Sequence, residues 1–240
     1  MRFLLLAFLL LAGGARAQPV DLALVLAVDA SGSVNTARFE LQKQGYVAAL
    51  GNPRVLAAIR GGPLGAVAIT MTQWTGPAMQ EHVVGWMRVH DAASLQAVAQ
   101  AVAAAPRQLF SGGTSLSGAI DHAAGLFERL PFEPTRRVID ISGDGANNRG
   151  RPAADARDEV VAQGITINGL PILSLEPGLD EHYRSEVIGG PGAFLIATSN
   201  YETFARAILQ KLISEIAGVM PGDETRQQVA QNERGREKKD

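Results

Sequence analysis

The sequence predicts an α/β layered domain built on a mainly parallel sheet of six strands. Two observations support this fold class. Short apolar segments of strand length alternate along the chain with longer segments whose apolar residues recur at helical spacing. The first apolar segment, residues 22–28, is continuous and ends at Asp29, which is typical of a strand buried on both faces. We therefore expect helices on both faces of the sheet.

The other elements follow from the same two patterns. The predicted strands cover residues 22–28, 65–74, 82–89, 137–141, 165–170 and 193–197. The predicted helices cover residues 39–50, 92–104, 116–127, 153–163 and 201–217. The last helix is strongly amphipathic, because its apolar residues recur every four positions, at Phe204, Ile208, Leu212 and Ile216.

The two ends of the chain are expected to lie outside this domain. Arg2, an apolar run at residues 3–12 and the sequence Ala15-Arg16-Ala17 are typical of a signal peptide that is cleaved after Ala17. The run is too short to span a bilayer, which needs about 20 residues. Residues 221–240 are charged and almost without apolar side chains, which predicts a disordered tail. We therefore expect a signal peptide at 1–17, a domain at 18–220 and a tail at 221–240, in a periplasmic or secreted protein.

The composition restricts the possible functions. A hydrophobic content of 46% with 19% charged residues is typical of a globular protein. The formal net charge of -2 provides no general attraction to nucleic acid or to anionic membranes. The absence of cysteine excludes disulfides, thiolate metal sites and a cysteine nucleophile. Residues 207–220 contain Lys211 and Glu215, so we expect no stable membrane insertion, and we expect a monomer.

Three polar clusters lie at predicted strand ends or in the adjoining loops. They are Asp29-Ala30-Ser31-Gly32-Ser33, Ser111-Gly112-Gly113-Thr114-Ser115 and Ser142-Gly143-Asp144-Gly145. Ligands of open parallel sheets bind at the carboxyl edge, near the point where strand order reverses, so the clusters can converge there. Their carboxylates and hydroxyls favour Mg²⁺, Mn²⁺ or Ca²⁺ over zinc or copper.

These motifs, in this order, resemble the metal-ion-dependent adhesion site of von Willebrand factor A (vWA) domains. The resemblance covers roughly residues 20–218. It implies a doubly wound sheet with one antiparallel edge strand, here residues 82–89. It implies metal ligation by the hydroxyls of Ser31, Ser33 and Thr114, with Asp29 and Asp144 binding directly or through water.

The same resemblance implies a binding function and no enzymatic activity. One coordination position of the cation, expected to be Mg²⁺, would be left for an acidic side chain of another protein. Exchange between direct and water-mediated contact at Asp144 could then couple to movement of the last helix, residues 201–217.

Two alternatives remain open. Haloacid dehalogenase-like phosphatases share an Asp-x-Asp-Gly-Thr motif and a Gly-Asp-Gly-x-x-Asp loop, which this chain nearly matches. The differences fall on functional positions, because Ser31 replaces a general acid and Asn148 replaces an acidic metal ligand. The required lysine before the second loop is also missing. The other alternative is a structural domain whose cation only stabilises the fold, since Gly, Ser and Asp are common in such turns anyway.

Overall fold

The computed structural model describes residues 17–221 of the chain. The predicted signal peptide, except for Ala17, and the predicted tail, except for Pro221, lie outside the described residues. Within residues 17–221, no helix is both long and apolar enough to cross a membrane.

A five-stranded sheet forms the centre of the domain. Its strands are β1 (Gln18–Asp29), β2 (Val67–Trp74), β3 (Gln80–Val89), β4 (Phe132–Gly143) and β5 (Thr166–Pro171), in the order β3-β2-β1-β4-β5. All neighbouring strands are parallel except β2 and β3, which are antiparallel. The prediction of a mainly parallel sheet with an antiparallel edge strand at residues 82–89 is therefore confirmed.

The prediction of a sixth strand at residues 193–197 is wrong. This segment runs beside β5 but makes only isolated bridges, at Leu195 with Gly169 and at Thr198 with Ile172. Hydrogen bonds join Gly169 to the segment through both its amide and its carbonyl. Pro171 is the next residue that should pair in this way, but it has no amide hydrogen to donate. The ladder is therefore interrupted before it becomes a strand.

Seven α-helices surround the sheet in the described part of the chain. They are α1 (Thr36–Leu50), α2 (Pro53–Gly61), α3 (Ala92–Ala104), α4 (Leu116–Leu126), α5 (Ala153–Ala162), α6 (Leu179–His182) and α7 (Phe204–Ala217). A 3₁₀ turn follows α4 at Phe127–Arg129, and a π turn follows α6 at Tyr183–Val187. The sequence predictions do not include α2 or the one-turn helix α6. The first turn of α2 is set by Pro53 and by the Asn52 side chain, which accepts a hydrogen bond from the amide of Arg54.

The helices form one layer on each face of the sheet. Alternate β1 residues such as Leu24 and Leu26 belong to a core that includes residues of α1, α2, α3 and α7. The intervening residues, such as Val25 and Ala27, belong to a second core with residues of α4, α5 and α6. This arrangement explains why the first strand is apolar on both faces.

The order in which the chain adds strands to the sheet reverses between β1 and β4. From β1 it proceeds through α1 and α2 to β2 on one side, and later through α4 to β4 on the other side. Val28 pairs with Ser142, so β1 and β4 end next to each other. The loops that follow these two strands therefore diverge from one point, which is where doubly wound sheets bind ligands.

Candidate functional site

Asp29, the last residue of β1, connects the first polar cluster to the third. Its carboxyl group is fully buried. One oxygen accepts a hydrogen bond from the amide of Ser31 at 2.7 Å, and the other accepts from the amide of Asp144 at 3.3 Å. Asp29 therefore orders both its own loop and the loop after β4.

A chain of side-chain hydrogen bonds joins three further predicted residues. The hydroxyl oxygens of Ser31 and Ser33 lie 3.0 Å apart. The Ser33 hydroxyl donates to Oδ1 of Asp144 at 2.5 Å. The Tyr201 hydroxyl donates to the other oxygen of Asp144 at 2.7 Å. The structure thus brings Asp29, Ser31, Ser33 and Asp144 into one network and adds Tyr201 from the segment before α7.

Thr114 approaches the same turn from the loop before α4. Its amide donates to the side-chain oxygen of Asn148 at 2.9 Å, and its carbonyl accepts from the amides of Asn148 and Arg149. Its hydroxyl oxygen lies 3.5 Å from the point that a Cβ would occupy on Gly145. All three predicted clusters therefore converge, with Thr114 facing the residue after Asp144.

The two carboxylates of the site create an unfavourable concentration of negative charge. Burial, and then the nearby charge of Asp144, raise the pKa of Asp29 to about 7. Arg38 offers partial compensation, because its guanidinium nitrogen lies 3.8 Å from an Asp144 oxygen. That same nitrogen donates to the carbonyl of Ser33 at 2.7 Å. A bound cation would relieve the remaining repulsion between the two aspartates.

The donor set fits a hard divalent cation. Asp29, Ser31, Ser33 and Asp144 share one hydrogen-bond network, and the Thr114 hydroxyl lies beside Gly145 in the adjoining turn. Carboxylate and hydroxyl oxygens are ligands that Mg²⁺, Mn²⁺ and Ca²⁺ accept. Across residues 17–221, no group of three or more His, Cys, Asp or Glu side chains is arranged to hold a metal ion. Any cation held here would therefore depend on the hydroxyls as much as on the two carboxylates.

Two side chains beyond β5 also reach the loop after β4. Glu176 accepts a hydrogen bond from the amide of Ala146 at 2.8 Å, and a ring nitrogen of His182 lies 3.3 Å from the amide of Asn147. Sequence reasoning missed both residues, as it missed Tyr201. A signal was available for Glu176 and His182, since both follow a predicted strand whose carboxyl end lies at the same edge of the sheet.

Arg107 supports the first loop from the segment between α3 and α4. Its guanidinium donates to the carbonyls of Ala30 at 3.0 Å and Ser31 at 3.2 Å. Sequence reasoning did not identify these contacts either, because Arg107 is separated from Ala30 by 77 positions and from Ser31 by 76 positions.

The domain has the fold of a vWA domain. Proximal thread matrix protein 1 from the mussel byssus superposes with a TM-score of 0.58 at 14% identity, over 84% of this chain and 48% of that one. A structure of the same protein with a zinc-occupied MIDAS (metal-ion-dependent adhesion site) motif gives a TM-score of 0.54 at 16% identity, over 82% of this chain and 45% of that one. A von Willebrand factor type A protein from Catenulispora acidiphila gives 0.56 at 18% identity, over 82% and 43%.

A protein of similar extent shares the fold as well. BatB from Bacteroides thetaiotaomicron, described as a conserved hypothetical protein, gives a TM-score of 0.52 at 17% identity, over 82% of this chain and 99% of that one. By contrast, the chain spans less than half the length of the mussel and Catenulispora proteins. No curated protein matches the sequence. Residues 19–220 match the family described as "Protein of unknown function (DUF1194)", and the chain belongs to that family.

Proposed function

We propose that this protein is an exported vWA domain that binds another protein through a divalent cation, most simply Mg²⁺. The cation would be held by Asp29, Ser31, Ser33, Thr114 and Asp144. The observation that supports this proposal best is the buried pair of aspartates, in which the amide of Asp144 donates to Asp29 and the Ser33 hydroxyl donates to Asp144. Two such carboxylates without a full counter-charge favour a cation.

The partner would supply the last ligand of the cation. Three of the five proposed ligands are neutral hydroxyls, so the bound ion would keep part of its positive charge. An aspartate or glutamate of another protein would then complete the coordination. The zinc-occupied MIDAS motif of the mussel protein is consistent with metal binding at this place in the fold.

Thermal unfolding with and without Mg²⁺ tests the cation site. A ligand at one hundred times its dissociation constant stabilises a protein by about 2.7 kcal/mol, or about 5 to 10 °C for a domain of this size. We expect such a gain for the wild type and a much smaller gain for Ser33→Ala. Ser111→Ala is the matched control, because Ser111 is an exposed serine of the second cluster and is not a proposed ligand. Equal gains in the two variants would contradict the proposal.

The same site is poorly suited to the phosphatase alternative. Ser31 lacks the acidity to protonate a leaving group. The amide oxygen of Asn148 accepts a hydrogen bond from the amide of Thr114, so this side chain orders a loop. Hydrolysis of p-nitrophenyl phosphate should therefore stay at background in the presence of Mg²⁺. Turnover that disappears in Asp29→Asn would overturn the assignment of a binding function.

Export is proposed on the boundary between the predicted signal peptide and the domain. β1 begins at Gln18, and the family match begins at residue 19, so cleavage after Ala17 would leave the described fold whole. Expression of the full chain in a Gram-negative host should yield periplasmic or secreted protein whose amino-terminal residue is Gln18. Cytoplasmic protein that keeps Met1 would contradict this proposal.

A further inference from the structure

Three of the five large apolar side chains that are exposed in the described part of the chain lie at one end of the domain. In residues 17–221, the large hydrophobic residues that remain exposed are Leu64, Met79, Phe110, Leu175 and Met220. Three of them, Met79, Phe110 and Leu175, lie in loops at the carboxyl edge of the parallel strands. Phe110 is 62% exposed, Leu175 49% and Met79 38%. We call these three residues the apolar rim.

Met79 and Phe110 border the loops of the proposed cation site. The carbonyl oxygen of Phe110 lies 4.0 Å from the point that a Cβ would occupy on Gly32. The sulfur of Met79 lies 2.5 Å from the corresponding point on Gly112, which has a φ of +125°. A side chain at residue 112 would therefore collide with Met79, and glycine allows the two loops to approach closely.

Leu175 borders the site on the other side. It precedes Glu176, whose carboxylate accepts the hydrogen bond from the amide of Ala146. Ala146 is only two residues beyond Asp144. The apolar rim therefore borders the loops that carry four of the five proposed ligands. Ser31 and Ser33 flank Gly32, Thr114 lies two residues after Gly112, and Asp144 lies two residues before Ala146.

Three arginines give this end of the domain a positive character. The guanidinium of Arg107 lies 4.8 Å from the ring centre of Phe110, and that of Arg38 lies 5.5 Å from the ring centre of Tyr201. The side chain of Arg149 passes 2.5 Å from the Cβ position of Gly113. Together with a divalent cation, the three guanidinium groups outweigh the three carboxylates that accept hydrogen bonds from the site loops, namely those of Asp29, Asp144 and Glu176. An acidic partner is therefore favoured over a basic one.

We propose that the apolar rim binds residues next to the acidic side chain of the partner. The partner segment would be an acidic peptide in which an aromatic or aliphatic residue lies within two positions of the metal-binding Asp or Glu. An extended peptide advances about 3.3 Å per residue, so residues within two positions of a metal-bound carboxylate would lie beside the loops that border the rim. This inference rests on the proposed function and adds the composition of the partner segment.

Selection from a random peptide library tests the proposal with a defined probe. A phage-displayed library of dodecamers is bound to the immobilised wild-type chain in MgCl₂, and bound phage are eluted with EDTA. Peptides that are enriched over a protein-free surface should contain Asp or Glu with an aromatic or aliphatic residue within two positions. The most enriched peptide is then synthesised with a fluorescent label, and its affinity is measured by fluorescence polarisation.

Rim variants make the test quantitative. Phe110→Ser should weaken binding of the labelled peptide by about tenfold or more, as expected when an apolar contact at an interface is removed. Leu64→Ser is the matched control, because Leu64 is 45% exposed at the opposite edge of the sheet. The affinity of this variant for the labelled peptide should equal that of the wild type. The gain in thermal stability with Mg²⁺ should be unchanged in both variants.

The possible outcomes separate this inference from the proposed function. Mg²⁺-dependent acidic peptides with only polar neighbours, or an unchanged affinity in Phe110→Ser, would overturn the role of the rim and leave the cation site intact. Enriched peptides without an acidic residue, peptides that bind equally in EDTA, or no enrichment at all would overturn both.

Discussion

Two buried tyrosines near the same aspartates differ in their hydrogen bonding. The Tyr201 hydroxyl donates to Asp144, whereas the buried Tyr183 hydroxyl has no hydrogen-bond partner among the described residues. Removing a hydroxyl that bonds a carboxylate costs stability, while removing an unpaired buried hydroxyl costs little. Tyrosine-to-phenylalanine substitutions at the two positions should therefore have different effects.

We expect Tyr201→Phe to lower the free energy of unfolding by about 1.5 to 3 kcal/mol, the usual contribution of a hydrogen bond to a charged group. Tyr183→Phe should be neutral or slightly stabilising. Urea denaturation of both variants in EDTA measures the difference without any contribution from a cation. Equal losses in the two variants would show that packing of the rings, and not the bond to Asp144, determines stability here.

Gly143 lies in a position that has no room for a larger side chain. A Cβ at this position would lie 2.9 Å from the Tyr183 hydroxyl oxygen and 3.0 Å from both an Asp29 oxygen and a ring carbon of Trp74. Gly143→Ala should therefore cost about 1 to 3 kcal/mol of stability through overpacking, and should reduce the stabilisation by Mg²⁺. Urea and thermal unfolding measure the two effects.

Gly85→Ala is the control for this substitution. Gly85 also lies in a strand, but a Cβ there would meet nothing within 4 Å. This variant should be neutral or slightly stabilised, because alanine restricts the unfolded chain more than glycine does. A loss of stability as large as that of Gly143→Ala would point to strand backbone effects instead of crowding at Asp29.

At the scale of single residues, sequence reasoning located the candidate ligands better than their surroundings. Asp29 and Asp144 could be predicted as neighbours, because parallel strands bring their carboxyl ends to one edge of the sheet. Tyr201 could not, because its contact with Asp144 depends on how an irregular segment leads into α7. The opposite hydrogen-bond states of Tyr201 and Tyr183 are likewise set by packing.

Helix α7 is attached to the sheet by a buried cluster of charges. The ammonium group of Lys211 lies 2.6 Å from an Asp140 oxygen of β4 and also bonds Glu215, one turn further along α7. Asn168 of β5 donates to the same Glu215 oxygen at 3.0 Å. All three charged side chains are buried, so the position of α7 is tied to two strands by groups that tolerate little displacement.

This cluster predicts a pH dependence of stability. Burial raises the pKa of Glu215 above its ordinary value, so the folded state favours the protonated form. Protonated Glu215 therefore contributes to the free energy of unfolding below the ordinary pKa of a glutamate. This contribution is lost as the pH rises through the raised pKa of Glu215 in the folded state. The free energy of unfolding in EDTA should therefore fall less between pH 5 and pH 8 in Glu215→Gln than in the wild type.

The difference should be about 1 to 3 kcal/mol, since one pKa unit corresponds to about 1.4 kcal/mol. Comparison of the variant with the wild type separates the cluster of Glu215 and Asp140 from Asp29, whose pKa is also raised. Glu181→Gln, at an exposed glutamate of α6, should keep the wild-type dependence. An identical pH dependence in Glu215→Gln and the wild type would contradict the assigned role of the cluster.

The apolar pattern of the sequence was sufficient to predict those strands and helices whose position depends on burial of apolar side chains. Both faces of β1 are covered, so its continuous apolar run was sufficient to identify it, and α7 followed from its four-residue repeat. The segment at residues 193–197 is also partly apolar, but a single proline in the neighbouring strand removes the bond that would continue the ladder. The burial of charges in α7 could not be predicted, because lysine and glutamate are usually exposed to solvent. Only the structure shows that Asp140 of β4 lies beside Lys211.

The whole molecule has two chemically different ends. The proposed ligands and the apolar rim lie at the carboxyl edge of the parallel strands. Leu64 lies at the opposite edge, where its amide donates a hydrogen bond to the Asp21 carboxylate. Mg²⁺ should therefore slow amide hydrogen exchange in residues 29–35, 111–115 and 143–148. It should leave residues 62–66 unchanged. Exchange measured by mass spectrometry with Mg²⁺ and with EDTA tests this, and uniform protection of both ends would contradict a site confined to one edge.

Both side edges of the sheet carry features that disfavour the addition of further strands. On one side, β3 pairs with β2 through an irregular register between Ile69 and Thr72, and it exposes Glu81 and His82. On the other side, the segment at residues 193–198 covers β5 while Pro171 interrupts the ladder. Bulges, charges and covered edges disfavour strand addition between chains. The folded protein is therefore expected to resist templated fibril growth, and the proposed binding of a partner is expected to use side chains of the loops instead of shared backbone.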